Sequence, residues 1–156
     1  MNSVLSISRG RALALCLVAA AGIVQAAKTT DPDTKFIPAA TVSAAFAKGM
    51  PLFETAGYKI HASRREAPGM AEVHAKDTDI IYVLDGTATV VTGGDVVDGR
   101  TTAADEIRGA SIRGGTTRRL AKGDVFVVAN GVPHQFTETT NPFLYYVVKA
   151  TAGGGR

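Results

Sequence analysis

Ala71-Glu72-Val73-His74-Ala75-Lys76-Asp77-Thr78-Asp79-Ile80-Ile81-Tyr82-Val83-Leu84-Asp85-Gly86 is a strand, a turn and a second strand that ends at a glycine. Residues two apart on a strand share a face, so Glu72 and His74 point one way and Val73 the other. Ala75 to Thr78 supply the turn, and Asp79 opens the apolar run that follows. About fifty residues later, Gly123-Asp124-Val125-Phe126-Val127-Val128-Ala129-Asn130-Gly131-Val132-Pro133-His134 gives another strand and turn, with His134 as the first inward residue of a further strand. Two imidazoles and two carboxylates from three strands can therefore converge. The pattern reads as a metal site inside a β-barrel.

The rest of the chain agrees with that architecture. Beyond Met50, β-branched and aromatic runs recur between glycine, proline and asparagine: Leu52 to Glu54, Tyr58 to Ser63, Thr87 to Val91, Thr116 to Leu120, Gln135 to Thr137 and Phe143 to Val148. Short strands at this spacing predict an all-β sandwich or barrel. Pro38 to Lys48 is alanine-rich, with Thr41 or Ser43 as candidate caps and Gly49 as its stop, so one short helix precedes the barrel. Thr92 to Gly115 breaks the strand rhythm with six glycines and with Asp95, Asp98, Asp105 and Glu106. It reads equally well as a functional loop or as a decorated hairpin. The acids there lack the regular spacing of an EF-hand calcium loop.

Arg9 and Arg11 precede an unbroken apolar run, Ala12 to Val24, which leads into Gln25-Ala26. These are the parts of a secretory signal peptide, with cleavage expected after Ala26. The apolar run is shorter than the roughly 20 residues needed to span a bilayer, so no stable membrane insertion is expected after cleavage. The expected division is 1–26 signal peptide, 27–50 an N-terminal segment with the short helix, 51–150 the barrel and 151–156 a flexible tail. The one cysteine, Cys16, lies in the leader, so the mature chain has no thiol chemistry. Of 17 basic residues two are in the leader, leaving 15 against 14 acidic ones. A near-neutral domain without a long basic run gives no ground for nucleic-acid binding.

The two quoted stretches resemble the paired motifs of the cupin superfamily, in its small single-domain, type-2-like form, over about Pro51 to Val148. The first motif has two histidines two apart, an acidic residue, then Tyr-Val-Leu-x-Gly; the second has Gly, five residues, Pro, then Gly and His. Anchored on Gly86, the family's second histidine falls on His74, its glutamate on Asp79 and its first histidine on Glu72. Anchored on Gly123 and Gly131, the last histidine falls on His134, while the family's proline falls on Ala129 and its trailing asparagine on Glu138. The resemblance implies a double-stranded β-helix, or jelly-roll barrel. It also implies one divalent transition metal held by Glu72, His74, Asp79 and His134. Two oxygen ligands in place of the usual one favour iron or manganese, with zinc, nickel or copper able to compete.

Other residues have plainer readings. His61 fits a surface or rim role, because its same-face neighbours are Lys59, Ser63 and Arg65. Arg64 and Arg65 can offer a cation to an anionic substrate, although paired surface arginines are the commoner case. Tyr82, Tyr145 and Tyr146 read as packing groups. Phe136 shares the inward face of His134, and Glu138 falls two further on, toward the pocket mouth.

The expected function is an exported protein, periplasmic or secreted, that binds one divalent metal and acts on a small molecule. Dioxygenase, isomerase, decarboxylase and lyase types all occur on similar proteins, and Glu72 is the candidate to move a proton. The alternative is a non-catalytic periplasmic module that binds a small molecule or a metal. A third class, a structural or interaction protein, would use an exposed sheet edge and the 92–115 segment. Pairing through sheet edges also predicts a homodimer.

Overall fold

The computed structural model describes residues 34–153. The expected leader and its cleavage site lie outside the described residues. So do residues 154–156.

Among the described residues, thirteen strands follow one helix. They are β1 (Met50–Glu54), β2 (Tyr58–Arg65), β3 (Ala71–His74), β4 (Asp77–Asp85), β5 (Thr87–Thr92), β6 (Asp95–Val97), β7 (Arg100–Ala103), β8 (Glu106–Gly109), β9 (Ser111–Arg113), β10 (Thr116–Ala121), β11 (Val125–Val128), β12 (His134–Thr139) and β13 (Phe143–Thr151). A five-stranded antiparallel sheet, β1-β2-β13-β4-β11, faces a six-stranded one, β10-β5-β12-β3-β8-β7. This is the double-stranded β-helix expected from the sequence. Each run read as a strand is one, and most extend by a few residues.

Strand parity sorts the barrel into two ends. Along β4, Asp79, Ile81 and Val83 are buried and face in, while Ile80 and Tyr82 are exposed. Tyr82 is therefore an outer-face residue and not a core packing group. In register beside them on β13 lie Lys149, Val147 and Tyr145. One end is filled by Val83, Val90, Leu120, Phe136, Phe143 and Tyr145 with their neighbours. The other carries the polar members of the same rows: Asp79, Lys149 and His134. A single alternation thus builds the apolar core and the polar site from the same strands.

Two local features hold these strands in place. Gly86 turns β4 into β5 at φ +79°, and a Cβ there would stand 2.8 Å from the Pro142 carbonyl and overlap Thr140 Oγ1. Only glycine fits that corner. The helix α1 (Ala39–Lys48) ends at left-handed Gly49 as expected, but its N-cap is Pro38 and not Thr41 or Ser43. The Pro38 carbonyl accepts from the amides of Thr41 and Val42, so no side chain is needed. Phe46 of this helix packs edge-on against Tyr146, with ring centroids 4.8 Å apart. The helix thereby covers the outer face of β2 and β13.

The 92–115 segment is a pair of nested hairpins, with β6 on β9 and β7 on β8. This is the decorated-hairpin reading, with one addition. β8 also pairs with β3, setting Arg108 beside Glu72 and Glu106 beside His74. The sequence carries no sign of that docking.

Candidate metal centre

Glu72 and His74 come from β3, and His134 opens β12 directly across from Glu72. One donor atom from each of the three lies within 4.8 Å of the others. Each is oriented by a neighbour. His134 Nδ1 faces the Val132 carbonyl at 3.3 Å. A carbonyl only accepts, so Nδ1 carries the hydrogen and Nε2 keeps its lone pair for the cavity. Burial holds this imidazole below its ordinary pKa, against the opposing pull of Asp79, and so keeps it neutral. Glu72 Oε1 accepts from Arg108 NH1 at 3.2 Å, while Oε2 turns toward His74 Nε2, 3.7 Å away. The arginine pins one oxygen and leaves the other to the site.

Asp79 lies on the same wall, with Oδ2 3.5 Å from His74 Nε2 and 3.9 Å from His134 Nε2. Its carboxylate is already engaged. Lys149 Nζ donates to Oδ1 at 2.7 Å and Oδ2 at 2.8 Å, and also to His74 Nε2 at 2.9 Å. Burial pushes the Asp79 carboxyl up, but its closeness to His74 and the charge and hydrogen bonds of Lys149 prevail and hold it below the ordinary value. The ammonium has no acceptor lone pair, so His74 Nε2 must be the unprotonated nitrogen.

The donor set fits a divalent metal in a two-histidine, one-carboxylate arrangement, the facial set of many iron(II) sites. It fits a four-ligand set less well, because Asp79 is held by a lysine. A metal on His74 requires the ammonium to withdraw onto Asp79 alone.

Above these residues is a cavity of about 370 Å³, lined by Arg65, Arg108, Phe136 and Lys149 among others. His61 sits at its rim, 2.7 Å from Glu54 Oε1. The face of β2 that carries His61, Ser63 and Arg65 looks into the barrel, because the more apolar face is covered by α1. The two arginines have different partners: Arg64 pairs with the exposed Glu66, and Arg65 reaches Tyr145 and Glu72. Glu138 does not reach this cavity. A bulge between Phe136 and Glu138 shifts the alternation, and the exposed Glu138 accepts from Thr89 Oγ1. Asp95, Asp105 and Glu106 face separate cations, Arg113, Lys76 and Arg108, and do not converge.

Lys149 and Arg108 are absent from the sequence reading. Lys149 had a signal, since it continues the inward parity of Phe143, Tyr145 and Val147 one residue past the expected strand end. Arg108 had none, because its place depends on where β8 docks.

The chain belongs to the cupin family, whose model matches residues 26–155. Its structure is similar to that of a Bacillus halodurans protein (10% identity, 76% of this chain and 83% of that one, TM-score 0.53). It is also similar to an uncharacterized conserved protein with a double-stranded β-helix domain from Klebsiella pneumoniae (17% identity, 79% and 95% covered, TM-score 0.51). At these identities the likeness is one of fold. No curated protein matches the sequence.

Proposed function

We propose that this cupin binds one divalent transition metal through Glu72, His74 and His134, and binds or acts on a small molecule in the cavity above. The observation that carries the reading is the set of three donor atoms within 4.8 Å, two of them already oriented by Val132 and Arg108. Iron(II) or manganese is favoured, with zinc, nickel and copper as competitors. Such an ion acts as a Lewis acid on a substrate oxygen. Glu72, pinned by Arg108, serves as a ligand, and Lys149 keeps Asp79 out of the set. Calorimetric titration with manganese(II) is expected to give one site per chain. A flat titration with manganese, iron(II) and zinc alike rejects the reading.

A second reading, a metal-free binding module, draws support from Lys149, whose ammonium already rests between His74 and Asp79. The same titration separates the two.

Export to the periplasm or medium is part of the proposal. It is supported by the leader pattern alone, Arg9 and Arg11 before the apolar run Ala12 to Val24. None of the helices among the described residues is long and apolar enough to cross a membrane.

We also propose a homodimer. Val127 pairs with Ile80 and Val125 with Tyr82 on the outer face of β4 and the edge strand β11, and all four side chains are exposed. An exposed apolar patch on a sheet edge invites a second chain. Light scattering is expected to give twice the chain mass, and Val127→Lys to reduce it toward one. A single-chain mass for the unaltered protein at all concentrations contradicts this.

A further inference from the structure

We propose that the cavity takes a small organic oxyanion, bearing a carboxylate or phosphate group, on the guanidinium of Arg65. Neutral neighbours hold this side chain. Nε donates to Tyr145 Oη at 3.0 Å, and Cζ lies over the Phe136 ring, 4.6 Å from its centroid. Gly69 gives NH1 its room, since a Cβ there would stand 2.6 Å from that nitrogen. The facing carboxylate, Glu72 Oε1, is 3.6 Å from NH2, beyond hydrogen-bond range, and is itself taken by Arg108. The guanidinium is thus fixed in direction, three-quarters or more buried and short of a hydrogen-bonded anion, with its side chain on the cavity wall.

Its one ion-pair partner, Glu72 Oε1, is shared with Arg108, so this largely buried cation keeps donors free for a further anion. Its planar fork of donors matches a carboxylate or phosphate in bidentate fashion. Charge points the same way. Around the centre Arg65, Arg108 and Lys149 balance Glu72, Asp79 and Glu106, so a divalent ion adds two uncompensated positive charges to the site. That last step rests on the metal reading, whereas the Arg65 geometry stands without it. The cavity volume falls in the small-ligand range of about 300–1,000 Å³.

The test is calorimetry with malonate and with inorganic phosphate, and with neutral malonamide as control. The proteins are wild type, Arg65→Met, Arg65→Lys and Gly69→Ala, each without metal and after incubation with manganese(II). At least one anion is expected to bind wild type, and malonamide is not. Binding should weaken at least about tenfold in Arg65→Met. It should weaken several-fold in Arg65→Lys, which keeps the charge and loses the fork. The same is expected of Gly69→Ala, which displaces the guanidinium and removes no charge. Which anion binds tells carboxylate from phosphate. If Arg65→Met does not fold, Arg65→Lys and Gly69→Ala decide. No anion binding to either wild-type form, or equal binding in all variants, overturns the proposal. Manganese uptake in the same samples reports separately on the metal reading.

Discussion

Replacing His74 and His134 together by alanine is expected to abolish metal binding, with affinity falling more than about a hundredfold. Loss of one orienting partner behind a ligand costs roughly 10–100-fold, and this double variant removes two of three ligands. The fold should survive. Both side chains lie in the polar end of the barrel, away from the cluster around Phe143 and Val83 that holds the sheets together. Melting within a few degrees of wild type, with no calorimetric heat from manganese, is the expected pair of results. Retained stoichiometric metal in a folded double variant would place the metal elsewhere.

Lys149→Met is expected to act in two opposite directions. In the metal-free protein it leaves Asp79, 5% exposed, without its cation. Breaking a buried pair from one side costs about 3–5 kcal/mol, which for a domain of this size lowers Tm by roughly 10 °C or more. It also frees the carboxylate to serve as a fourth ligand and removes the competitor at His74 Nε2. Manganese should therefore bind at least about tenfold tighter than to wild type, and should restore the lost stability as it binds. Adding Asp79→Asn to the same chain should cancel the tighter binding. Lys149→Gln, which keeps a donor for Asp79, should lose less stability. If Lys149→Met melts like wild type and binds manganese no tighter, the lysine does not control the fourth position.

Much of this was legible in the sequence because it rests on period-two alternation and on turns. His74, Asp79 and His134 occupy inward positions fixed by strand parity, and Gly86 marks a corner where nothing larger fits. What the sequence left hidden lies across space. Arg108 meets Glu72 only because an inserted hairpin adds β8 to the sheet, a contact that local pattern does not encode. Lys149 was missed for a smaller reason, a strand ended at Val148, three residues too early. His61 and Arg65 show a third kind of difficulty. Their strand was divided correctly into a polar and an apolar face, but the polar face turns inward because α1 covers the other. Polarity alone normally points to solvent; here it marks the lining of a site.

The most direct test of the central claim is anomalous diffraction at the manganese edge from crystals loaded with manganese(II). One peak per chain bonded to Glu72, His74 and His134, with Lys149 Nζ still on the Asp79 carboxylate, is the expected result. Absence of a peak at that position, with Lys149 still resting on His74, would contradict the account and leave a cupin barrel whose internal cation is its own lysine.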